Sequence, residues 1–174
     1  MSDPPDGIDL SRHRDLKGKL PGQWLRHGFL LLLTAFVVAA LLNVFGAHPE
    51  TSEAVAPAAT LKVIAPERVR GGLLYQARFE IHANEAIGAP TLVLDRGWIE
   101  ETTINTLEPE PAETTTDLGH LKVRYPPMPA GRALTVYIAL QANPNNVGTH
   151  DAGVALYDAD ERLASIDRTQ VNFP

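Results

Sequence analysis

Leu73-Leu74-Tyr75-Gln76-Ala77-Arg78-Phe79-Glu80-Ile81-His82-Ala83 is the stretch that decides the fold. Tyr75, Ala77, Phe79 and Ile81 fall on one side of an extended chain, and Gln76, Arg78, Glu80 and His82 fall on the other. Such alternation marks a strand with one buried face. Just upstream, Leu61, Val63 and Ala65 alternate with Lys62 and Ile64 until Pro66, and Arg70-Gly71-Gly72 reads as a turn.

Further strands follow downstream. Residues 91–95 form a short apolar run, and Arg96-Gly97 turns the chain into a strand over 98–107 carrying Trp98, Thr102 and Ile104. Glu108-Pro109-Glu110-Pro111 breaks it, since two prolines do not fit a central strand. Residues 113–117 read as an acidic, threonine-rich loop. The segment 118–125 turns Leu121, Val123 and Tyr125 inward and His120, Lys122 and Arg124 outward. After the proline-rich residues 126–131, Leu134, Val136, Ile138 and Leu140 make another strand. Residues 143–148 are a dense turn signal, and 154–157 form a hairpin with 163–173. Seven or eight short strands between Gly, Pro and Asn turns predict an all-β, antiparallel β-sandwich over 60–174, with a small closed barrel as the alternative.

Ahead of the strands lies a different solvent preference. Residues 29–45 contain no charged side chain, and Thr34 and Asn43 are the clearly polar ones. About 20 apolar residues cross a bilayer core as a helix, so residues 28–46 are expected to be a single transmembrane helix. Lys17, Lys19 and Arg26 precede it, whereas residues 47–61 carry no Lys or Arg. The positive-inside rule then puts the N-terminus in the cytoplasm and the C-terminal domain outside the cytoplasmic (inner) membrane, in a periplasm where one exists. A cleaved signal peptide is the rival, but its apolar region is shorter and Val44-Phe45-Gly46-Ala47 is a poor small-x-small site. Residues 1–27 read as a disordered cytoplasmic tail, with Trp24 at the interface. Residues 47–59 read as a flexible tether containing Pro49 and Pro57.

The 174 residues carry a formal net charge of -6 and no cysteine. No disulfide, thiol nucleophile or cysteine metal site is available. Most of the negative charge lies beyond the helix, which argues against a nucleic-acid surface there.

The strand of Tyr75, Phe79 and Ile81, the Pro66–Gly72 segment, the proline-bounded middle and the closing hairpin give residues 60–174 a look similar to Ig-like or fibronectin-III-like domains. Such domains sit on single-pass bacterial envelope proteins. The resemblance is architectural and transfers no functional residue. It implies that Trp98 fills the core as an Ig-type tryptophan does, without the usual disulfide.

Candidate chemistry is sparse. His82, His120 and His150 lie on or near outward strand faces and could share a metal only if the topology joined them; no HxH, HxxxH or HExxH spacing is present. Cleavage after Ala47 would expose His48 as an N-terminal copper chelator, with Pro49 directly after it. Glu100-Glu101, Glu108/Glu110 and Asp158/Asp160/Glu161 are acidic pairs near turns, compatible with a hydrolase or with solvated turns. Ser165 lacks a nucleophile elbow. Tyr137, Tyr157, Val93 and Ile64 form a binding patch if they face outward, or core if their strands are buried on both faces. No catalytic, cofactor or metal residue is assigned. The reading is a non-enzymatic, membrane-anchored sandwich serving as an interaction or accessory module for another membrane protein. An envelope copper-binding protein and a carboxylate hydrolase are the alternatives.

Overall fold

The computed structural model describes residues 20–42 and 48–174. The chain divides into two compact units, 1–46 and 47–174. In the first, helix α1 spans Leu20–Leu41. It begins eight residues before the expected span, so residues 20–27 are helix and not tail. Pro21 lies in the first turn, where a missing N–H costs nothing. Beyond it, Gln23 to Arg26 bring no helix breaker. The expected tail over 1–19 and the expected helix end over 43–46, including Asn43, lie outside the described residues. Gln23–Leu41 is long and apolar enough to cross a bilayer, as an anchor or as a signal sequence. Thr34 Oγ1 donates to the Leu30 carbonyl at 2.8 Å, so the helix satisfies its own hydroxyl.

The second unit is mostly strand. One five-stranded sheet runs β1 (Pro49–Val55), β2 (Ala59–Pro66), β4 (Leu74–Ala83), β9 (Ala133–Ala142) and β6 (Thr102–Glu108). A second runs β12 (Glu161–Ile166), β11 (Val154–Asp158), β5 (Pro90–Leu94), β8 (His120–Arg124) and β7 (Glu113–Asp117). A three-stranded sheet joins β10 (Gly148–Asp151), β13 (Thr169–Phe173) and β3 (Arg68–Arg70). Pairing is antiparallel except between β13 and β3. The expected all-β sandwich is present.

The core follows the alternation read from sequence. Leu61, Val63, Phe79, Ile81, Val136 and Ile138 project from the first sheet, and Leu92, Leu94, Val123, Val154 and Leu156 from the second. Burying each such side chain contributes roughly 1.5–3 kcal/mol. Trp98 is fully enclosed and meets Phe79 edge-on, with ring centroids 5.4 Å apart. Its indole N–H donates to the carbonyls of Ala152 at 2.9 Å and Gly153 at 3.1 Å.

Several expectations are corrected. Most of the expected flexible tether, 47–59, is strand: Pro49–Val55 pairs along its length with β2, from Pro49 opposite Pro66 to Val55 opposite Thr60. Its composition suits an edge strand, where a proline and an outward Glu53 opposite Lys62 are tolerated. Trp98 does not open a strand; Arg96–Trp98 is a 3-10 turn and β6 begins at Thr102. The supposed loop 113–117 is strand β7, because its threonines favour extended chain and its acidic ends meet Arg124 and Lys122 on β8. Residues 163–173 divide between two sheets. β13 turns Gln170 and Asn172 inward, where the Gln170 amide meets the Tyr75 hydroxyl at 3.2–3.3 Å and donates to Asn172 Oδ1 at 2.9 Å. Arg168, also buried, donates from Nη2 to the Ala65 carbonyl at 2.8 Å.

Gly97 shows how closely the Trp98 turn is seated. A Cβ there would overlap the backbone carbonyl of Asp151 on β10. Gly97→Ala is therefore expected to lower unfolding stability by about 1–3 kcal/mol in urea titration. Gly131, with open space around its Cβ position but a φ of +78°, is expected to lose only about 1 kcal/mol as Gly131→Ala. Equal losses at the two positions would contradict the close-contact account.

Candidate functional site

The β7–β8 hairpin has a two-residue loop, Leu118-Gly119, in which both residues have positive φ, 49° and 83°. That is the type I′ geometry whose twist suits a tight hairpin. In such a hairpin the flanking pair is hydrogen-bonded and the pairs then alternate. Asp117/His120, Thr115/Lys122 and Glu113/Arg124 are therefore the bonded pairs of the observed register. The N–H and C=O groups of Thr114 and Thr116 consequently face away from the sheet. β7 is the last strand of its sheet, and all five of its residues are exposed.

The outer face of the same sheet forms a cleft of about 460 Å³. Its floor is small: Thr91 and Val93 on β5, Ala155 on β11 and Ser165 on β12. Ion pairs wall it. Lys122 Nζ lies 2.8 Å from Asp117 Oδ2, and His120 Nδ1 lies 3.1 Å from Asp95 Oδ1. The hydrogen bond and charge of Lys122 lower the Asp117 carboxyl, and Asp117 raises the Lys122 ammonium in return. Both groups are solvated, so the pair orders the hairpin more than it stabilises it.

A second cleft, about 450 Å³, is bounded by Pro109, Glu110, Tyr125, the 126–129 segment and Arg132. Tyr125 is buried, and no protein group among the described residues lies within hydrogen-bond reach of its hydroxyl. Burial pushes that hydroxyl up to about 12. Tyr75 is also raised by burial, with its hydrogen bond to Gln170 acting in the opposite direction.

The structure separates the histidines. His82 is on β4, His120 on β8 and His150 on β10, one in each sheet. His48 directly precedes β1. Glu100 and Glu101 follow the 3-10 turn, and their backbone carbonyls accept from the buried Asn146 amide at 3.1 and 3.3 Å. Glu108 and Glu110 flank Pro109 between β6 and β7. Asp158 holds a loop in place, its carboxylate accepting from the Gly88 and Ala89 N–H groups at 3.1 and 2.7 Å. Asp160 and Glu161 sit at the β11–β12 turn, and Asp160 borders the first cleft with Ser165. The suggested patch divides: Val93 and Tyr157 share the outer face of the second sheet, whereas Ile64 and Tyr137 belong to the first. Val93 and Ile64 are half-buried outward positions rather than core. The open edge of β7 and the exposed Leu118 were missed. Hydrophobic alternation cannot mark a strand without a buried face; the run of three threonines ahead of Leu118-Gly119 was the available signal.

No family model matches the chain, and the comparison with curated proteins found no match. Solved structures do match. One is a non-cellulosomal cohesin from the hyperthermophilic archaeon Archaeoglobus fulgidus, 14% identical, with a TM-score of 0.42 over 72% of this chain and 92% of that one. The fold assignment rests on the strand pairing of this chain itself.

A leucine in the left-handed region costs about 1–2 kcal/mol, and asparagine tolerates that region better. Leu118→Asn is expected to raise unfolding stability by about 0.5–1 kcal/mol; an unchanged or lower denaturation midpoint would refute strain at this loop. Tyr125 supplies a second prediction. Its folded value, about 12, lies above the ordinary 10.0. The two states bind the same proton below pH 10, and the unfolded chain loses it first as pH rises. Stability therefore declines between about pH 10 and 12, by on the order of 2–3 kcal/mol from this group. Tyr125→Phe is expected to change stability by less than about 1 kcal/mol at pH 7. It should also flatten the alkaline decline in denaturation midpoints. A decline of unaltered depth would exclude Tyr125 as its source.

Proposed function

We propose that this chain is a non-enzymatic, membrane-anchored interaction module. In this reading α1 is an uncleaved single-pass anchor in the cytoplasmic membrane. The N-terminus is inside, in line with the flanking Lys17, Lys19 and Arg26. The sandwich lies outside and works by contact with another membrane protein.

The observation that carries the proposal is the open edge of β7. Thr114 and Thr116 present unpaired backbone donors and acceptors, with no proline within Glu113–Asp117 and all five residues exposed. Proteins usually blunt such an edge. Here charge is confined to Glu113 and Asp117 at its ends, and both acids are neutralised by Arg124 and Lys122 across the ladder. An extended segment of a partner could add as a sixth strand, with backbone hydrogen bonds supplying affinity and the alternating side chains supplying choice.

Photo-crosslinking from position 114 in intact cells, combined with external protease, tests both halves. The expected result is a discrete adduct with another membrane protein and external digestion of the sandwich with the N-terminus spared. Thr116→Pro, which removes an outward N–H without touching the ladder, should abolish the adduct. An adduct that survives Thr116→Pro would overturn strand addition, and a sandwich protected from external protease in permeable-envelope cells would overturn the orientation.

A further inference from the structure

The strand register places one end of the sandwich beside the point where the chain arrives from the helix. Pro49 is opposite Pro66, and on the next strand Ile64 is opposite Arg78. Leu74, the first residue of β4, therefore lies at the same end as Pro49, and Leu74 is opposite Gln141. Thr102, opposite Ala142, starts β6 at this end. The chain reaches Thr102 from β5 through the Arg96–Trp98 turn, so Asp95 and its partner His120 are here too. The Leu118-Gly119 loop beside His120 belongs to the same end. Gly71 N–H donates to the Phe173 carbonyl at 2.7 Å, and Val147 precedes Gly148, which is opposite Asn172.

This proximal end gathers the exposed apolar surface. Among the described residues of the sandwich, seven large apolar side chains are exposed, and five are here: Leu73 (39%), Leu74 (61%), Leu118 (83%), Val147 (53%) and Phe173 (47%). They come from four separate loops or strand ends, so no single local feature accounts for them. Tyr137 lies along the first sheet and Val55 at the opposite end. Leu118 is the most exposed of them and also occupies a left-handed conformation that leucine disfavours. A residue wrong for its loop on both counts points to a contact made outside the fold.

Six residues, 43–48, connect Leu42 to Pro49. Fully extended they reach about 20 Å. Resting on the anchored reading above, we infer that the proximal end docks on the bilayer itself, with Leu73, Leu74, Leu118, Val147 and Phe173 entering the boundary between headgroups and acyl chains. Arg68, Arg70 and Arg96 are mixed there with Glu67, Glu100 and Glu101. The attraction is therefore apolar, and it holds on zwitterionic lipid and at high salt.

The chain has no cysteine, so single cysteines can report depth in the full-length protein. Leu33→Cys, Leu74→Cys, Phe173→Cys and Val55→Cys are labelled with an environment-sensitive fluorophore in phosphatidylcholine nanodiscs containing spin-labelled lipid. The expected result is blue-shifted, quenched emission at 33, 74 and 173, with water-like emission at 55. Leu118→Asn, which leaves the hairpin better formed, should reduce quenching at 74 and 173. Quenching at 33 without quenching at 74 and 173 overturns the docking alone. Equal quenching at 55 and 74 overturns the assignment of the end. Loss of quenching at 33 overturns the anchored reading and the docking with it.

Discussion

The Trp98 indole is the contact on which the sandwich depends. Its N–H reaches two consecutive carbonyls, Ala152 and Gly153, where β10 passes into β11. Its ring edge meets Phe79 in the middle of β4. One side chain thus ties a turn after the second sheet's β5, a crossing between the third and second sheets, and the centre of the first sheet. The polar part is satisfied and the apolar part enclosed, so burial costs nothing in lost hydrogen bonds. Gly97 is required beside it because the Asp151 backbone occupies the space of a Cβ. With no disulfide possible, this junction performs the cross-sheet fastening that a covalent bridge performs in similar folds.

The two sides of the sandwich are treated differently. On one, β1 and β2 of the first sheet contact β12 of the second, so those edges shelter one another. On the other, β6 leads into β7 through Glu108 to Ala112, and the outer strands of both sheets end there. An edge left open is a hazard unless something specific uses it. Thr114 and Thr116 keep the backbone of β7 available, while ion pairs to β8 hold the strand flat against its own sheet.

Period-two alternation made the inner strands legible: Leu61, Val63, Phe79, Ile81, Val123, Val136 and Ile138 point inward as their spacing requires. The edges were not legible, for a physical reason. Pro49–Val55 and Glu113–Asp117 bury little, so neither needs a continuous apolar face, and their Pro, Glu and Thr resemble those of a linker or loop. β13 was misjudged in the opposite way. It does bury a face, but Gln170 and Asn172 supply it, with Gln170 bonded to the Tyr75 hydroxyl that the fold brings close and to Asn172 Oδ1. The candidate surface needed turn geometry, since the free backbone of Thr114 and Thr116 follows from the positive φ of Leu118 and Gly119 rather than from residue type.

Turning most of the expected tether into β1 changes the energetics of position. The expected tether has 13 residues, 47–59, and β1 takes up seven of them, Pro49–Val55. Closure entropy of a flexible tether grows as the logarithm of its length, so drawing most of it into a strand lowers that cost by on the order of 1 kcal/mol. That equals roughly a fivefold rise in local concentration. The gain is small, but so is the requirement: each partly exposed Leu, Val or Phe at the proximal end contributes at most about 1.5–3 kcal/mol on leaving water. On the anchored reading, the helix removes the larger translational cost of association. On that reading, weak, scattered apolar contacts that would never bind a free domain to lipid suffice to orient an anchored one.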